Sequence, residues 1–381
     1  MCEKIKVLFY TELWANAGIE SVIMSLFRNF DLSNISVDIM ASQNLSNFYD
    51  EEIEKLGGKK IITLDGEYDS PAKRMIANRS AFEKAIRENH YDVVHIHMCN
   101  AAAMQYGKIA KKNGVKIVAY HSHNTNLSTN YRAIKTIIHN ISKIYYEKYA
   151  DAFFSCSDLA SKWMFTKRTI KKGKVTIINN AIDLQKFEFN EEERKKYRKK
   201  LNVGNKFLMG HIGRFAVAKN HPFLIDIFYE LHKINPDSML LLIGEGEDEQ
   251  IIKRKVAELG INEDVIFYGV TKEIPQMLWA MDAFVLPSLF EGNPVVGIEA
   301  QAASLPCFFS DTITKMCKLT DMANYLSLEE DPKFWAKAIL KNNVQRNSTR
   351  SIMEKSGYDI RTIARDVQNK YFELLKKGRK E

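Results

Sequence analysis

Residues 283–299 read AFVLPSLFEGNPVVGIE, and this stretch carries the pattern that decides the fold. Its first four residues are apolar throughout, which is typical of a strand covered on both faces in a parallel sheet. A short loop, 287–290, follows the strand. Pro294 then stands where a helix can begin, and Asn293 precedes it as a candidate cap. The pattern predicts a strand, a loop and a helix in succession, the repeating unit of a doubly wound α/β domain.

The same alternation of apolar runs and helical patterns continues on both sides of that stretch. In the N-terminal half, the apolar runs lie at 5–10, 36–40, 92–96, 115–120, 152–156 and 175–178. In the C-terminal half, they lie at 207–212, 239–243, 265–268, 283–286 and 307–309. The sequence therefore predicts an α/β protein with two Rossmann-like, doubly wound domains. Because ligands bind such domains beyond the carboxyl ends of the strands, we expect the two domains to face each other across a cleft.

The alternation breaks at 179–206, where two asparagines are followed by the charged run 191–200. We interpret the charged run as a solvated helix and linker, with contact to a membrane or an acceptor as the alternative. The predicted organisation is an N-terminal domain at 1–183, a linker at 184–206 and a C-terminal domain at 207–358. Residues 359–381 are predicted to form a further, mostly helical segment.

Composition restricts the class of protein. The 381 residues carry 55 Lys and Arg against 47 Asp and Glu, a formal net charge of +8. This mild excess suits an anionic ligand or an anionic membrane surface and is far below the charge density of a histone. The five cysteines are odd in number and lack C-x-x-C spacing, so a disulfide framework and a structural zinc site are not expected. No apolar stretch approaches the ~18 residues of a membrane helix, and we expect a cytoplasmic protein, with peripheral membrane contact left open.

Residues 291–299 can deliver a helix N-terminus to a ligand. Free N–H groups and the helix dipole there favour a phosphate or a sugar hydroxyl. Gly292 permits close approach of the backbone. Glu291 precedes the helix and Glu299 lies inside it, so the two carboxylates can address different parts of one extended ligand. The alternative is a capped core helix with a solvated glutamate.

A second motif, GHIGRFAVAKN at 210–220, closes the first strand of the C-terminal half. Arg214 and Lys219 stand on the loop before the next helix. Two cations at the carboxyl end of a strand suit a diphosphate, for which arginine offers a bidentate fork. The alternative is a pair of surface cations.

These two segments resemble the retaining glycosyltransferases of the GT-B fold, specifically glycosyltransferase family 4. That family carries two glutamates separated by seven residues and a G-R-x(4)-K segment, and both occur here in the family's chain order. Residues 244–246 are similar to its G-x-G turn, and 267–269 to its base-contacting turn. The motif HSHNT at 121–125 and the residues SGYDI at 356–360 resemble the bacterial capsular and exopolysaccharide subgroup.

The resemblance implies a role for each matching residue. Arg214 and Lys219 would hold the donor diphosphate and stabilise charge on the leaving nucleotide. Glu291 would contact the donor sugar, and His121 would lie near the reacting carbon. These four residues form the predicted catalytic set.

A second set of residues is implied to bind substrate. Glu299 would bind the ribose hydroxyls, and Gly18 would lie in a loop that approaches the phosphates, where Ala17 replaces a second glycine of the family. The other members of the set are Gly292, Asn293, Pro294, Val295, Gly244 and Tyr268. The family also implies that the first domain binds the acceptor, that the second binds the donor, and that the last helix packs back on the first domain.

The histidines pose the question of a metal. His95 and His97, and likewise His121 and His123, form His-x-His pairs on or just after neighbouring predicted strands. Alternate residues of a strand share a face, so a metal site is conceivable. No carboxylate follows at ligand spacing, and we interpret these histidines as structural or as lining the cleft. We predict no metal and no cofactor, because cations and a helix N-terminus can stabilise a leaving diphosphate by themselves.

Residues 131–149 combine apolar residues at helical spacing with Arg132, Lys135 and Lys143. An ordinary amphipathic surface helix is the favoured interpretation. The alternative is an interfacial helix that brings the protein to anionic lipid.

The predicted function is retaining transfer of a sugar, from a UDP-sugar, to a saccharide acceptor in capsular or exopolysaccharide biosynthesis. The acceptor is expected to be lipid-linked. Two alternatives stay open: another enzyme of the same architecture, such as a nucleotide-sugar epimerase or a pyridoxal-phosphate phosphorylase, and a module that binds a nucleotide sugar without turnover. Nucleic acid is not an expected partner, because no aromatic–basic motif of the known kinds occurs.

Overall fold

The computed structural model describes residues 4–15, 18–64, 66, 70–124, 132–291, 294–342 and 345–378. Its strands are β1 (Ile5–Trp14), β2 (Ile35–Asn44), β3 (Lys60–Ile62), β4 (Val93–Met98), β5 (Ile117–Ser122), β6 (Ala152–Ser155), β7 (Val175–Ile177), β8 (Phe207–Ile212), β9 (Ser238–Ile243), β10 (Val265–Gly269), β11 (Ala283–Leu286), β12 (Cys307–Ser310) and β13 (Ala323–Leu326).

The α-helices are α1 (Gly18–Asn29), α2 (Asp50–Lys55), α3 (Pro71–Asn89), α4 (Gln105–Lys112), α5 (Arg132–Tyr146), α6 (Asp158–Met164), α7 (Lys167–Lys171), α8 (Leu184–Phe187), α9 (Glu191–Lys200), α10 (His221–Ile234), α11 (Glu249–Glu258), α12 (Ile274–Ala280), α13 (Val295–Ala302), α14 (Pro332–Lys341), α15 (Arg350–Lys355) and α16 (Ile360–Lys377). Among the described residues, none of these helices combines the length and the apolar character needed to cross a bilayer.

The first unit consists of residues 1–181 together with 360–381. Its seven parallel strands have the order β3-β2-β1-β4-β5-β6-β7. Along β1, Val7 and Phe9 belong to one apolar cluster, while Leu8 and Tyr10 belong to another on the opposite face. The sheet is therefore buried on both faces, which explains why its strands are apolar throughout instead of alternating.

The second unit consists of residues 182–359. Its six parallel strands have the order β10-β9-β8-β11-β12-β13. Along β9, Leu241 and Ile243 pack in one cluster, and Leu240 and Leu242 pack in the other. The prediction of two doubly wound parallel α/β sheets is confirmed.

The last helix, α16, belongs to the first unit. Ala364, Val367 and Tyr371 are buried in the same cluster as Ile23 and Phe27 of α1. Helical spacing along α16 places its buried residues on one face, as expected for a helix that covers a sheet.

Residues 184–206 belong to the second unit and do not form a separate linker. In α9, Arg194 donates hydrogen bonds to the carbonyl oxygens of Trp279 at 2.7 Å and Met281 at 2.8 Å. Arg198 pairs with Asp282 at 3.0 Å. The arginines thus attach α9 to the end of α12. From its composition this charged run was expected to be solvated, but two of its arginines lie in a packed contact.

The structure also corrects details of the predicted elements. Pro294 has φ −67° and ψ 112°, an extended conformation, so α13 begins one residue later than predicted. Both β3 and β13 are strands that the sequence pattern missed. They lie at sheet edges, and most of their residues are only partly buried.

Candidate functional site

The second unit has its topological switch point between β8 and β11. On one side of this pair lie β9 and β10, and on the other lie β12 and β13. Ligands of open α/β sheets bind beyond the carboxyl ends of the strands at such a point. The loops that leave β8 and β11 carry Lys219 and Glu291, so two motifs that are distant in sequence meet where ligand binding is expected.

Lys219 and Glu291 form an ion pair between Nζ and Oε1. Their side chains are 19% and 16% exposed. The hydroxyl of Ser288 also donates to Oε1 of Glu291, at 3.2 Å, and the two loops are tied by a backbone hydrogen bond from Leu289 to Ala218 at 2.8 Å. An ammonium group and a carboxylate in this position can bind a phosphate oxygen and a sugar hydroxyl, respectively.

Arg214 lies on the same loop as Lys219 but points to a different partner. Its Nη2 is 3.0 Å from Oε2 of Glu247, on the loop after β9, and its side chain is 74% exposed. An exposed ion pair of this kind contributes little free energy. The guanidinium group can therefore exchange Glu247 for a phosphate, with which it forms bidentate hydrogen bonds.

Gly244 is required by the packing of the loops around the site. Its φ is +139°, and a Cβ atom there would lie 2.1 Å from the carbonyl oxygen of Gly213. At Gly246, a Cβ atom would lie 2.3 Å from the carbonyl oxygen of Phe215. Hydrogen bonds from Gly213 to Ile243 and from Phe215 to Glu245, both 2.9 Å, run between the loops. The G-x-G turn thus lets the loop that carries Arg214 lie directly on its neighbour.

Glu299 lies one turn into α13, and its side chain is partly exposed. Burial raises its pKa to about 7, and Lys186 acts in the opposite direction. A carboxyl group that is partly protonated near neutral pH can both donate to and accept from a hydroxyl. Pro294 is buried and Val295 is partly buried at the start of the helix, while Gly292 and Asn293 lie outside the described residues.

Tyr268 lies on β10, and its ring packs against the core of the second unit. Glu273 accepts a hydrogen bond from Lys200 at 2.6 Å and raises the pKa of that ammonium, and the hydroxyl of Tyr268 acts in the same direction. The backbone of the same turn is nearer the site, since the carbonyl of Gly269 accepts a hydrogen bond from Gly244 at 3.0 Å. Contact of the Tyr268 side chain with a nucleotide base stays a prediction.

The first unit contains a separate cavity of about 490 Å³. It opens at the carboxyl ends of β1, β4 and β5, and the switch point of this sheet lies between β1 and β4. Gly18 lines it at the start of α1, as does Glu20. Burial raises the pKa of Glu12, which also lines the cavity and whose Oε2 accepts a hydrogen bond from Asn100 at 3.2 Å.

Sequence reasoning missed several residues of this cavity: Glu12, Glu20, Cys99, Asn124 and Asn180. His97 and His123, interpreted above as structural or as lining the cleft, also line it. Glu12 lies in β1 and Glu20 in α1. Cys99, Asn124 and Asn180 share a place just beyond the carboxyl end of a strand, after β4, β5 and β7 respectively. That position was the available signal. Histidine, carboxylate and amide groups converging there form a polar lining suited to the hydroxyls of a saccharide.

His121, predicted to lie near the reacting carbon, is completely buried and does not line the cavity. It stacks within a group formed with His95, His97 and His123. His97 Nδ1 and His123 Nε2 share a hydrogen bond of 2.9 Å, and His95 Nδ1 and the hydroxyl of Tyr371 share one of 2.6 Å. Of these four histidines, His97 and His123 line the cavity, and His121 lies behind them.

The four imidazoles are held in their neutral form. Burial lowers the pKa of His95 and of His123 to about 3 and lowers those of His97 and His121 well below the usual value. A charged imidazolium would lose its hydration there and face other imidazoles.

Nitrogens of His95, His97 and His121 lie within 4.8 Å of one another, which raises the possibility of a metal. The rings of His95 and His97 are stacked, with centres 4.4 Å apart and planes inclined by 16°. Because an ion lies in the plane of each imidazole that binds it, these rings fit mutual packing better than metal ligation.

Comparison with known proteins agrees with the geometry. Residues 16–186 match the model "Glycosyltransferase Family 4", and 193–358 match "Glycosyl transferases group 1". EpsF of Bacillus subtilis (strain 168), which is named as a glycosyltransferase, is 29% identical over 364 residues and 93% of each chain. The Escherichia coli UDP-Gal:alpha-D-GlcNAc-diphosphoundecaprenol alpha-1,3-galactosyltransferase is 26% identical over 240 residues, 61% of each chain.

A solved structure extends the likeness over the whole chain. Anabaena Alr3699/HepE, in complex with UDP and glucose, superposes with a TM-score of 0.74 at 17% identity, covering 96% of this chain and 99% of that one. This level of identity shows a shared fold. The two matched domains, the relatives and the pair of doubly wound sheets together place this chain among the GT-B glycosyltransferases of the family 4 type.

Proposed function

We propose that this protein transfers a sugar from a UDP-sugar to a saccharide acceptor, with retention of configuration, in the assembly of a capsular or exopolysaccharide. The observation that carries the proposal is the Lys219–Glu291 pair at the switch point of the second unit. The UDP of the Anabaena structure and the UDP-galactose donor named for the Escherichia coli relative support the choice of nucleotide.

The chemistry requires stabilisation of a leaving diphosphate. The bond between the anomeric carbon and a diphosphate oxygen breaks, and its electron pair leaves with the nucleotide. The acceptor hydroxyl attacks the same face, and its proton passes to the leaving phosphate. Arg214 and Lys219 stabilise the negative charge that develops on the diphosphate, so the step needs no metal ion.

Glu291 acts as a sugar-binding group in this proposal, not as a nucleophile. When Lys219 turns to the phosphate, the carboxylate of Glu291 is free to accept hydrogen bonds from hydroxyls of the donor sugar. Glu299 binds the ribose, and the cavity of the first unit binds the acceptor through its polar lining.

We further propose that the acceptor is lipid-linked and that the protein works in the cytoplasm with peripheral contact to the inner face of an anionic membrane. The diphosphoundecaprenol acceptor named for the Escherichia coli relative supports the first part. The row of exposed isoleucines on α5 supports the second.

The test is UDP release by the purified chain from a panel of UDP-sugars in the presence of EDTA. We expect slow hydrolysis of one donor. Glu291→Gln and Lys219→Met should each lower the rate about 100-fold, the size of effect seen when one transition-state contact is lost. Lys195→Met is the control, since Lys195 is an exposed cation on α9.

Other outcomes would contradict the proposal in distinct ways. Release of no UDP from any donor, even with membrane extract as a source of acceptor, would exclude the UDP-sugar transferase. Donor binding without turnover would indicate a binding module, and conversion of the donor sugar without UDP release would indicate an epimerase. Magnetic resonance of the product would decide retention from the configuration at the anomeric carbon.

A further inference from the structure

The exposed side of α5 is mostly apolar, with Asn140 as an exposed polar residue among the described side chains. Five isoleucines at helical spacing form this isoleucine face and are between 49% and 76% exposed: Ile134, Ile137, Ile138, Ile141 and Ile144. The inner face carries polar groups instead, because His139 and Ser142 are buried. His139 accepts a hydrogen bond from Ala101 at 3.1 Å and shares another with the carbonyl of Trp163. The helix is therefore more apolar toward solvent than toward its own unit, the reverse of an ordinary surface helix.

A cavity of about 520 Å³ adjoins the C-terminal end of the isoleucine face. Ile144 forms part of its wall, and four exposed cations line it, so it is named the basic cavity here: Lys148, Arg168, Lys172 and Lys174. Within the described part of the chain, none of these cations forms an ion pair with a carboxylate. The stretch 162–174 contributes six cations and no acidic residue.

Among the described residues, one carboxylate lines the basic cavity, and both of its oxygens accept hydrogen bonds from Thr166. Glu147 is 8% exposed, and its Oε1 accepts a hydrogen bond from the backbone N–H of Thr166 at 2.7 Å. Its Oε2 accepts one from the hydroxyl of the same residue at 2.6 Å. Glu147 is thus used in holding the segment that begins α7, and the charge of the cavity is positive.

We propose that the basic cavity binds the phosphate headgroup of an anionic phospholipid in a bilayer while the isoleucine face lies among the acyl chains. Apolar side chains lie beside cations that have no carboxylate partner among the described residues, and these two features match the two parts of such a lipid. One of the cations, Lys148, lies over the rings of Tyr145 and Tyr149. Tyr145 stands at the boundary, with the ammonium of Lys108 5.1 Å from its ring centre. This is the position that amphipathic aromatic residues take at a membrane interface.

Charge decides between a bilayer and a second copy of the chain. In a symmetric pair, the same patch faces itself, so two isoleucine faces in contact would bring two basic cavities close together. Like charges then oppose association. An anionic bilayer covers the apolar residues and neutralises the cations together, whereas a free phosphate would leave the isoleucines in water.

This inference deepens the proposed function, on which it rests for the view that the acceptor lies at a membrane. The experiment measures binding alone and uses neither donor nor acceptor. Its failure therefore leaves the transferase proposal intact, and failure of the UDP-release test leaves this measurement unaffected.

The experiment is sedimentation of the full chain with vesicles of phosphatidylcholine, with or without one third phosphatidylglycerol. We expect binding to the anionic vesicles and much weaker binding to the neutral ones. The double variant Arg168→Gln/Lys172→Gln should bind about 30-fold more weakly, because each cation near an anionic surface contributes about fivefold. Ile141→Asn/Ile144→Asn should lose at least about tenfold through lost apolar contact.

Matched controls separate this site from general effects. Lys195→Gln/Lys199→Gln removes the same net charge from exposed positions of α9, and Ile251→Asn removes an isoleucine that is 55% exposed on α11. Both should bind like the parent. Thermal melts that match the parent show that each variant is folded, which the exposure of the substituted residues favours.

Four results would overturn the proposal. Failure to bind anionic vesicles would do so directly. Equal losses in the charge control and in Arg168→Gln/Lys172→Gln would indicate net charge only. Release of bound protein by inorganic phosphate, but not by chloride of the same ionic strength, with no effect of the isoleucine variant, would indicate a free-anion site. A dimer that Ile141→Asn/Ile144→Asn converts to monomer would indicate a second copy.

Discussion

At the scale of single residues, the site of the second unit depends on backbone atoms as much as on charged side chains. Arg214 and Lys219 are placed by a loop that lies directly against the G-x-G turn. Gly244 permits that contact, since any side chain there would overlap the carbonyl of Gly213. The position has two independent reasons to be glycine, the left-handed φ and the lack of space.

Gly244→Ala should therefore destabilise the second unit by at least about 2 kcal/mol, because strain in φ adds to the steric overlap. Gly260→Ala is a matched control: its φ is also positive, at +69°, but no heavy atom lies within 4 Å of the added Cβ. It should cost only about 1 kcal/mol. Urea denaturation measures both values. Equal losses at the two positions would show that the contact with Gly213 is unimportant.

Residue identities at this site were predictable because they lie in short motifs. Lys219 and Glu291 stand close to the ends of apolar strands, and parallel strands direct those ends to one edge of a sheet. The cavity of the first unit was predictable only in part, through His97 and His123 at the ends of β4 and β5. Glu12, His97 and Asn180 come from three separate segments, and only tertiary structure brings them together.

At the scale of secondary structure, β4 carries His95 and His97, β5 carries His121, and His123 follows the end of β5. The four neutral imidazoles pack together as one group. The packing follows from strand register, in which His97 lies beside His121. Because these histidines are buried in their neutral form, the free energy of unfolding depends on pH in the acid range. An unfolded histidine takes up a proton below a pH of about 6.5, whereas the folded pKa of His95 and His123 is about 3.

Between those pH values, the unfolded chain binds more protons than the folded one, so stability falls as the pH is lowered through this range. Each such histidine contributes about 1.4 kcal/mol per pH unit. His121→Gln should reduce the slope of the free energy of unfolding by about that amount between pH 6 and pH 4. Denaturant titrations at several pH values measure the slope. The exposed His90, replaced in the same way, serves as the control, and an equal change there would contradict the assignment.

The elements that sequence analysis predicted wrongly or missed are α9, β3 and β13, which bury few apolar side chains. In α9, only Tyr197 and Arg198 are buried, so hydropathy predicts a solvated segment. Its attachment comes from arginine hydrogen bonds to the carbonyl groups that end α12, which no periodicity reveals. Strand β3 has three partly buried residues and a Lys at its start, and β13 is also mostly partly buried. Both are short edge strands with weak apolar signals.

At the scale of the whole molecule, the first unit is made from two separate parts of the chain. Residues 360–381 return to it after the whole second unit has been formed. Ala364 and Tyr371 are fully buried in its core, and the hydroxyl of Tyr371 shares a hydrogen bond with His95. The stability of the first unit therefore depends on a helix encoded almost 180 residues downstream of its other elements.

Ala364→Glu should destabilise the first unit by about 3 kcal/mol or more, because it places a charge without a partner in an apolar core. Hydrogen exchange measures the effect locally: protection should fall in β1, β4 and α1 and persist in β8 to β11. Arg365→Glu changes the neighbouring, exposed position and should leave protection intact. Loss of protection throughout both units would show that the two parts unfold together.

The return of α16 also sets the order of events on the ribosome. Residues 1–181 emerge first, yet Ile23 and Phe27 lack their helical cover until α16 has been translated. While the second unit is being synthesised, the apolar surface around Ile23 and Phe27 stays exposed to solvent. Exposed apolar surface of this kind is prone to aggregation and is bound by chaperones. A polypeptide that ends before Ile360 lacks α16, so its apolar surface around Ile23 and Phe27 stays exposed. The apolar core of the first unit is therefore completed only by the segment that contains α16.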